Sequence, residues 1–366
     1  MPFQSLSLAQ GGLRKRAVAL AWAMVVAAMN LLAVSPIYAQ AFTWGGAGSS
    51  STTVDYSLGT NWSTTTAGAP PVTSGQSAIF DAAGSITVSV TAGAVAPDAW
   101  TFNTAAQSYI ISGGAVNFSL AGASGGIIDN ASSGQTISIA NNIGQSVAGV
   151  QVQQLGNGTL QLSGNNSYSG GTIISGGGTL RVTNSGSVGT GVVTLDNGQF
   201  QGAGAAILNF SNSFRINNTP FGSAIDANGQ SLTISGNITD GNGPGALTIV
   251  NSRPSRGGGV LLTGTNTYTG GTTICSCGTL QLGSPNQTGS IVGAVTNEGR
   301  FDIINANTAG ITSITNDNGL IEIFNANTFA MPTITNQNGG AIFFVDQSNA
   351  GSATIVNGSG TAMFFL

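Results

Sequence analysis

The chain has 366 residues, of which only 5% are charged, while 56 are glycine and none is histidine. Charged residues make up roughly 25% of an ordinary soluble protein, so this composition argues against ordinary globular domains. The formal net charge of −4 disfavours a nucleic-acid partner, because phosphates call for clustered Lys and Arg.

The first predicted element is an export signal over residues 1–41. Arg14, Lys15 and Arg16 precede the apolar run that starts at Ala17, Pro36 ends the signal helix, and Ala39 and Ala41 give the small-x-small pattern of a cleavage site after Ala41. The alternative is an uncleaved anchor, since about 18 apolar residues just reach membrane-spanning length. Cleavage leaves five arginines against all twelve acids, a net −7.

Residues 42–150 alternate short apolar runs such as "SAIF", "ITVSV", "AWTF" and "TISI" with clusters of Gly, Asn, Asp and Ser. β-Branched residues suit a pleated surface, and Gly and Asn tolerate tight corners, so the region reads as strands joined by turns. No run keeps apolar residues at helical spacing for three turns.

Residues 151–297 contain a long phrase written twice, at about 160–183 and 260–283. At one constant offset, Gly164, Asn166, Tyr168, Gly170, Gly171, Thr172, Ile174, Gly178, Thr179 and Leu180 recur as Gly264, Asn266, Tyr268, Gly270, Gly271, Thr272, Ile274, Gly278, Thr279 and Leu280. The glycine groups are expected at corners, with Tyr168 and Tyr268 covering the coil at equivalent places.

Residues 298–366 repeat with a shorter period, restarting at Gly299, Gly319 and Gly339. Ile303, Ile323, Phe344 and Phe365 recur, as do Ile314, Ile334 and Ile355. Asn316, Asn336 and Asn357 keep the same period, as do Asn305 with Asn325 and Asn307 with Asn327. Units that cannot bury an apolar face alone must stack. A unit of about 20 residues, made of short strands and sharp corners, is one rung of a parallel β-helix, whose equivalent side chains meet at about 4.8 Å spacing. The fold expected is therefore all-β: a parallel β-helix, or solenoid, after the N-terminal signal helix, with Asn ladders inside it.

The two phrases "LSGNNSYSGGTIISGGGTLRV" and "LTGTNTYTGGTTICSCGTLQL" resemble the passenger-associated transport repeat, also called the autotransporter-associated β-strand repeat. The opening "FTWGG" and "DYSLGTNWS" are similar to the N-terminal edge of such passengers. The resemblance implies a right-handed parallel β-helix exported by type V secretion and carried to the surface by an outer-membrane barrel. It implies export machinery and that barrel as partners, together with host or cell-surface ligands. The sequence contains no run of barrel strands and stops at "AMFFL", so the chain is expected to be a truncated passenger. Its location is then the cell surface or the medium, or the periplasm if no barrel is supplied.

Without histidine a Ser-His-Asp or Cys-His arrangement cannot form, and cleavage removes the one lysine, Lys15. A carbohydrate-active enzyme using paired carboxylates is the competing reading, but Asp226, Asp240, Asp302 and Asp317 read as turn residues. The glycine-rich stretches lack a phosphate-loop Lys-Ser/Thr, and no GGxGxD calcium motif occurs. We expect no enzyme, no cofactor and no metal site, and a surface stalk with an adhesive or self-associating role. Cys275 and Cys277 replace Ser175 and Gly177 of the first phrase. They are a candidate disulfide, the alternatives being small residues tolerated at a turn, or a metal or redox role.

Overall fold

The computed structural model describes residues 40–46, 52–63, 70–204, 207–220, 222–324 and 333–366. The expected signal helix lies outside these residues, as do Asn325 and Asn327. Gln40 and Ala41, which the expected cut would remove, open the strand Gln40–Trp44 and pair with Gln76 and Ser77.

The described chain is all-β, coiled into a parallel solenoid of about 13 turns. Three sheets run along it. A 15-stranded sheet extends almost from end to end, a 10-stranded sheet accompanies it as far as Ile238–Asp240, and an 8-stranded sheet takes over from Ile207–Phe210. Among the described strands, pairings between successive turns are parallel, as in Thr159–Leu162 on Thr179–Val182. The exception is Trp62–Ser63, which runs antiparallel beside Gln40–Trp44 and closes that edge. Trp44, Trp62, Tyr56, Phe80 and Trp100 interlock beneath it with ring centroids 4.9–6.1 Å apart. This packing, edge-to-face in four of the six ring pairs, ties the first turn to the two that follow it.

The tail stacks as its period requires. Ile303, Ile323, Phe344 and Phe365 lie in one register column, and Ile314, Ile334 and Ile355 in another. Alternate residues of each strand point inward, because the side-chain period of a strand is two.

Columns change character along the coil. On the 15-stranded sheet one inward column reads Leu160, Leu180, Phe200, Ile225, Ile249 and Ile274, and then becomes Asn297, Asn316, Asn336 and Asn357. Each amide nitrogen donates to the next amide oxygen: Asn297 to Asn316 at 2.7 Å, Asn316 to Asn336 at 2.9 Å, Asn336 to Asn357 at 3.0 Å. The ladder starts against Ile274, which offers no donor, and Oδ1 of Asn297 is accordingly buried without a partner.

Turn length is not constant. Phe301 pairs with Ile321 in the tail, whereas in the middle Phe214 pairs with Ile238 and Leu232 with Val260, each across a longer loop of chain. The longer middle turns carry strands on all three sheets.

Candidate functional site

The twice-written phrase builds the same device each time. In the first copy Asn166 is buried; its Oδ1 accepts from the Ile143 N–H at 2.8 Å and its Nδ2 donates to the Ser187 carbonyl at 2.6 Å. In the second, Asn266 accepts from the Ile238 N–H at 2.9 Å and donates to the Ser290 carbonyl at 2.8 Å. One side chain thus ties the turn before to the turn after, satisfying backbone groups that burial would otherwise orphan. Two residues on, the tyrosine ring fills the core, and its hydroxyl meets the threonine at the start of the next strand, Tyr168 with Thr172 at 2.7 Å and Tyr268 with Thr272 at 2.6 Å. Burial raises both phenol pKa values, with the threonine bond opposing it.

These tyrosines do not cover the coil, contrary to the expectation from sequence. Both are fully buried. A phenol can lie inside when its hydroxyl has a partner, and Thr172 and Thr272 supply one. Nor are the two places equivalent in the coil. Thr159–Leu162, Thr172–Ser175 and Thr179–Val182 lie on the 15-, 10- and 15-stranded sheets; Gly259–Leu262, Thr272–Ile274 and Thr279–Leu282 lie on the 8-, 15- and 8-stranded sheets. The longer middle turns make the offset between the copies something other than a whole number of turns. The phrase is a local joint that works on either side of the coil.

The recurrent glycines have a steric cause. A Cβ on Gly170 would run into the backbone of Gly149, and one on Gly270 into that of Gly245. Gly171 and Gly271 hold φ of +93° and +87°, a conformation that side chains rarely adopt. The corners expected at the Gly-Gly pairs are there, immediately before strands Thr172–Ser175 and Thr272–Ile274.

The four acids named from sequence fasten neighbouring turns. Asp226 is fully buried and accepts from the N–H groups of Asn228 and Ser252 and from Nε2 of Gln201. Asp240 accepts from the Thr269 N–H and hydroxyl and from the Gly245 N–H. Despite partial desolvation, these donors hold its carboxyl below the usual value. Asp317 accepts from Asn338 at 2.6 Å. Asp302 is mid-strand in Arg300–Ile304 rather than at a turn, and it shares the Arg300 guanidinium with its register neighbour Glu322. Desolvation raises the Asp302 pKa, with Arg300 opposing and Glu322 reinforcing the rise.

Among the described residues no three His, Cys, Asp or Glu side chains form a group that could hold a metal ion. The surface depressions are open troughs between turns. One of about 500 Å³ passes Cys277, Glu298, Gly299, Arg300, Asn318 and Gly339, with Glu298 supplying its carboxylate. Cys277 lines it, and the Cα atoms of Cys275 and Cys277 lie 5.3 Å apart, a separation that a disulfide spans. The Gly278 N–H donates to the Cys275 carbonyl at 2.7 Å, the same turn that Gly178 and Ser175 make at 3.0 Å without sulfur. No helix among the described residues is long and apolar enough to cross a membrane.

The passenger-associated transport repeat matches residues 152–182 and 257–282, the two joints just described. An autotransporter adhesin, BmaC, of Brucella suis biovar 1 (strain 1330) is 34% identical over 199 residues, covering 51% of this chain and 5% of its own length. The chain therefore spans about one-twentieth of that relative. No solved structure matches. Two transport repeats thus lie on one parallel coil, and about half of the chain is similar to an autotransporter adhesin.

Proposed function

We propose that the chain is a length of exported, non-enzymatic passenger stalk, held outside the cell by an outer-membrane barrel and contributing to adhesion or self-association. The observation that carries this reading is the coincidence of the two transport repeats with the joints that tie successive turns of a continuous coil. About 13 turns at roughly 4.8 Å each give a rise of about 60 Å along the axis. The outward faces are rich in Thr, Ser, Asn and Gln, which offer many weak hydrogen-bonding positions without a deep pocket. The carboxylates support the same reading, since Asp226, Asp240 and Asp317 bond to other turns of the coil and Asp302 holds the Arg300 that reaches Glu322 on the next. Residues 1–41 serve as the export signal, and Cys275 and Cys277 form their disulfide once outside the cytoplasm.

The test is to express the chain in a Gram-negative host with an outer-membrane barrel supplied at its C-terminus. Protease shaving should then release a passenger fragment from intact cells, and displaying cells should aggregate or bind surfaces more than cells bearing the barrel alone. Retention in the periplasm, or binding no greater than that of the barrel control, would contradict the proposal. Release of reducing sugar from polysaccharide would favour the enzyme reading instead.

A further inference from the structure

One inward column of the 10-stranded sheet reads Phe80, Phe102, Asp129, Gln154, Ile174 and Leu195, all fully buried. An acid and an amide therefore stand on adjacent turns, in register, inside an otherwise apolar stack. Oδ1 of Asp129 accepts from the Ala131 N–H at 2.8 Å, while Oδ2 is buried without a partner. Nε2 of Gln154 donates to the carbonyls of Gly156 at 3.0 Å and Gly158 at 3.2 Å, while Oε1 is also buried without a partner. Register neighbours on parallel strands lie about 4.8 Å apart, within side-chain reach. Each side chain thus carries a lone acceptor, and one shared proton would serve both.

Turning the Gln154 amide over does not cure this. Its oxygen would then face the carbonyls of Gly156 and Gly158, and both would lose a donor. The contrast with Asp226 is direct. There the cross-strand Gln201 presents its nitrogen at 2.7 Å, and backbone N–H groups cover the other carboxylate oxygen. Gln154 has its nitrogen committed elsewhere.

We propose that Asp129 stands in the folded coil as the neutral carboxylic acid and donates its proton to Oε1 of Gln154, making this joint a pH-sensitive lock between two turns. Burial pushes the Asp129 carboxyl up to about 7, with the Ala131 N–H opposing the rise. Among the described residues, no titratable side chain faces it from the strands packed around it. Ala99–Phe102 and Val150–Gln154 on either side carry none, and neither do Thr136–Ile139 and Thr159–Leu162 on the 15-stranded sheet. The nearest such groups in the chain are engaged elsewhere: Asp98 accepts from Ser119 and from the Gly75 N–H, and the Tyr109 hydroxyl bonds the carbonyls of Asp81 and Ala83.

The raised value fixes the sign. Between the ordinary carboxyl value of 3.8 and about 7 the folded coil keeps a proton that the opened chain has released, so stability is full below that window and falls as pH rises through it. From pH 5 to pH 8 the opening equilibrium of these turns should shift by about a hundredfold.

The experiment follows amide hydrogen exchange in strands Gly122–Asp129 and Val150–Gln154 of the full chain across that range, corrected for intrinsic exchange. Protection should fall about a hundredfold in the unmodified protein and stay level in Asp129→Asn, whose amide N–H donates at every pH. Equal slopes in both proteins would overturn the proposal. Infrared spectroscopy of the unmodified chain gives an independent reading. A carboxylic-acid carbonyl band should titrate away with a midpoint near 7, and its absence above pH 5.5 would also overturn the proposal.

Discussion

Replacing Asn316 by Leu interrupts the amide ladder at its middle. Nδ2 of Asn316 donates to Oδ1 of Asn336 at 2.9 Å and to the carbonyls of Gly319 and Ala341 at 2.9 and 3.2 Å, and its Oδ1 accepts from Asn297 at 2.7 Å. Asn297 retains the Leu320 carbonyl at 3.1 Å. Asn336, by contrast, is left with a buried oxygen and no donor. The orphaned buried acceptor costs about 1–3 kcal/mol and each of the three other lost bonds about 1 kcal/mol, so a loss of roughly 4–6 kcal/mol is expected. Because a repeat array need not unfold as one unit, the assay is native-state hydrogen exchange of Ile311–Asp317 and Thr333–Gln337. The double variant Asn316→Leu/Asn336→Leu removes the orphan together with its partner, so it should lose at least about 1 kcal/mol less than the sum of the single losses. Additivity within about 0.5 kcal/mol would refute the ladder reasoning.

Tyr268→Phe should destabilise the turns around the second joint by about 1 kcal/mol, since it leaves the Thr272 hydroxyl without its bond to the phenol; urea-dependent exchange measures this. Gly170→Ala should cost more than about 2 kcal/mol by the same measurement, because the Gly149 backbone cannot move without separating two turns. Exported protein should show no free thiol until reductant is added, and Cys275→Ser/Cys277→Gly should fold with stability within about 1 kcal/mol of the parent, because Ser175 and Gly177 build that turn without sulfur. Arg300→Gln should cost no more than about 1 kcal/mol, diminishing in high salt, as Arg300 is half exposed.

What can be read from sequence depends on whether turns can be counted. In the tail the turns are nearly equal in length, so the period alone aligns Ile303 with Ile323 and Asn316 with Asn336, and the register columns follow that alignment. Earlier turns vary in length. The step from Phe102 to Asp129 differs from the step from Asp129 to Gln154, so no fixed period brings that acid and amide together. The same variation sets the two tyrosine joints on different sides of the coil. Sequence misplaces Tyr168 because a phenol suggests an exposed tip, and the signal that corrects this is the threonine kept at the same spacing after it in both copies. Asp302 looks like a turn residue by type, yet Arg300, two positions earlier on the same strand face, is the clue to its pairing. The inward Asn166 and Asn266 are visible as recurrent residues, but only the coil shows why, since their partners come from the turns before and after.

The central claim is that successive turns lie directly on one another, residue over residue. Thr296, Thr315, Thr335 and Val356 form an outward register column on the 15-stranded sheet, which makes them sites for paired nitroxide labels that leave the core intact. Electron paramagnetic resonance should show strong dipolar broadening for Thr315 with Thr335, one turn apart at about 4.8 Å between backbones, and little for Thr296 with Val356, about three times as far. A narrow, non-interacting spectrum for the Thr315/Thr335 pair, or equal broadening in both pairs, would contradict the stacked coil.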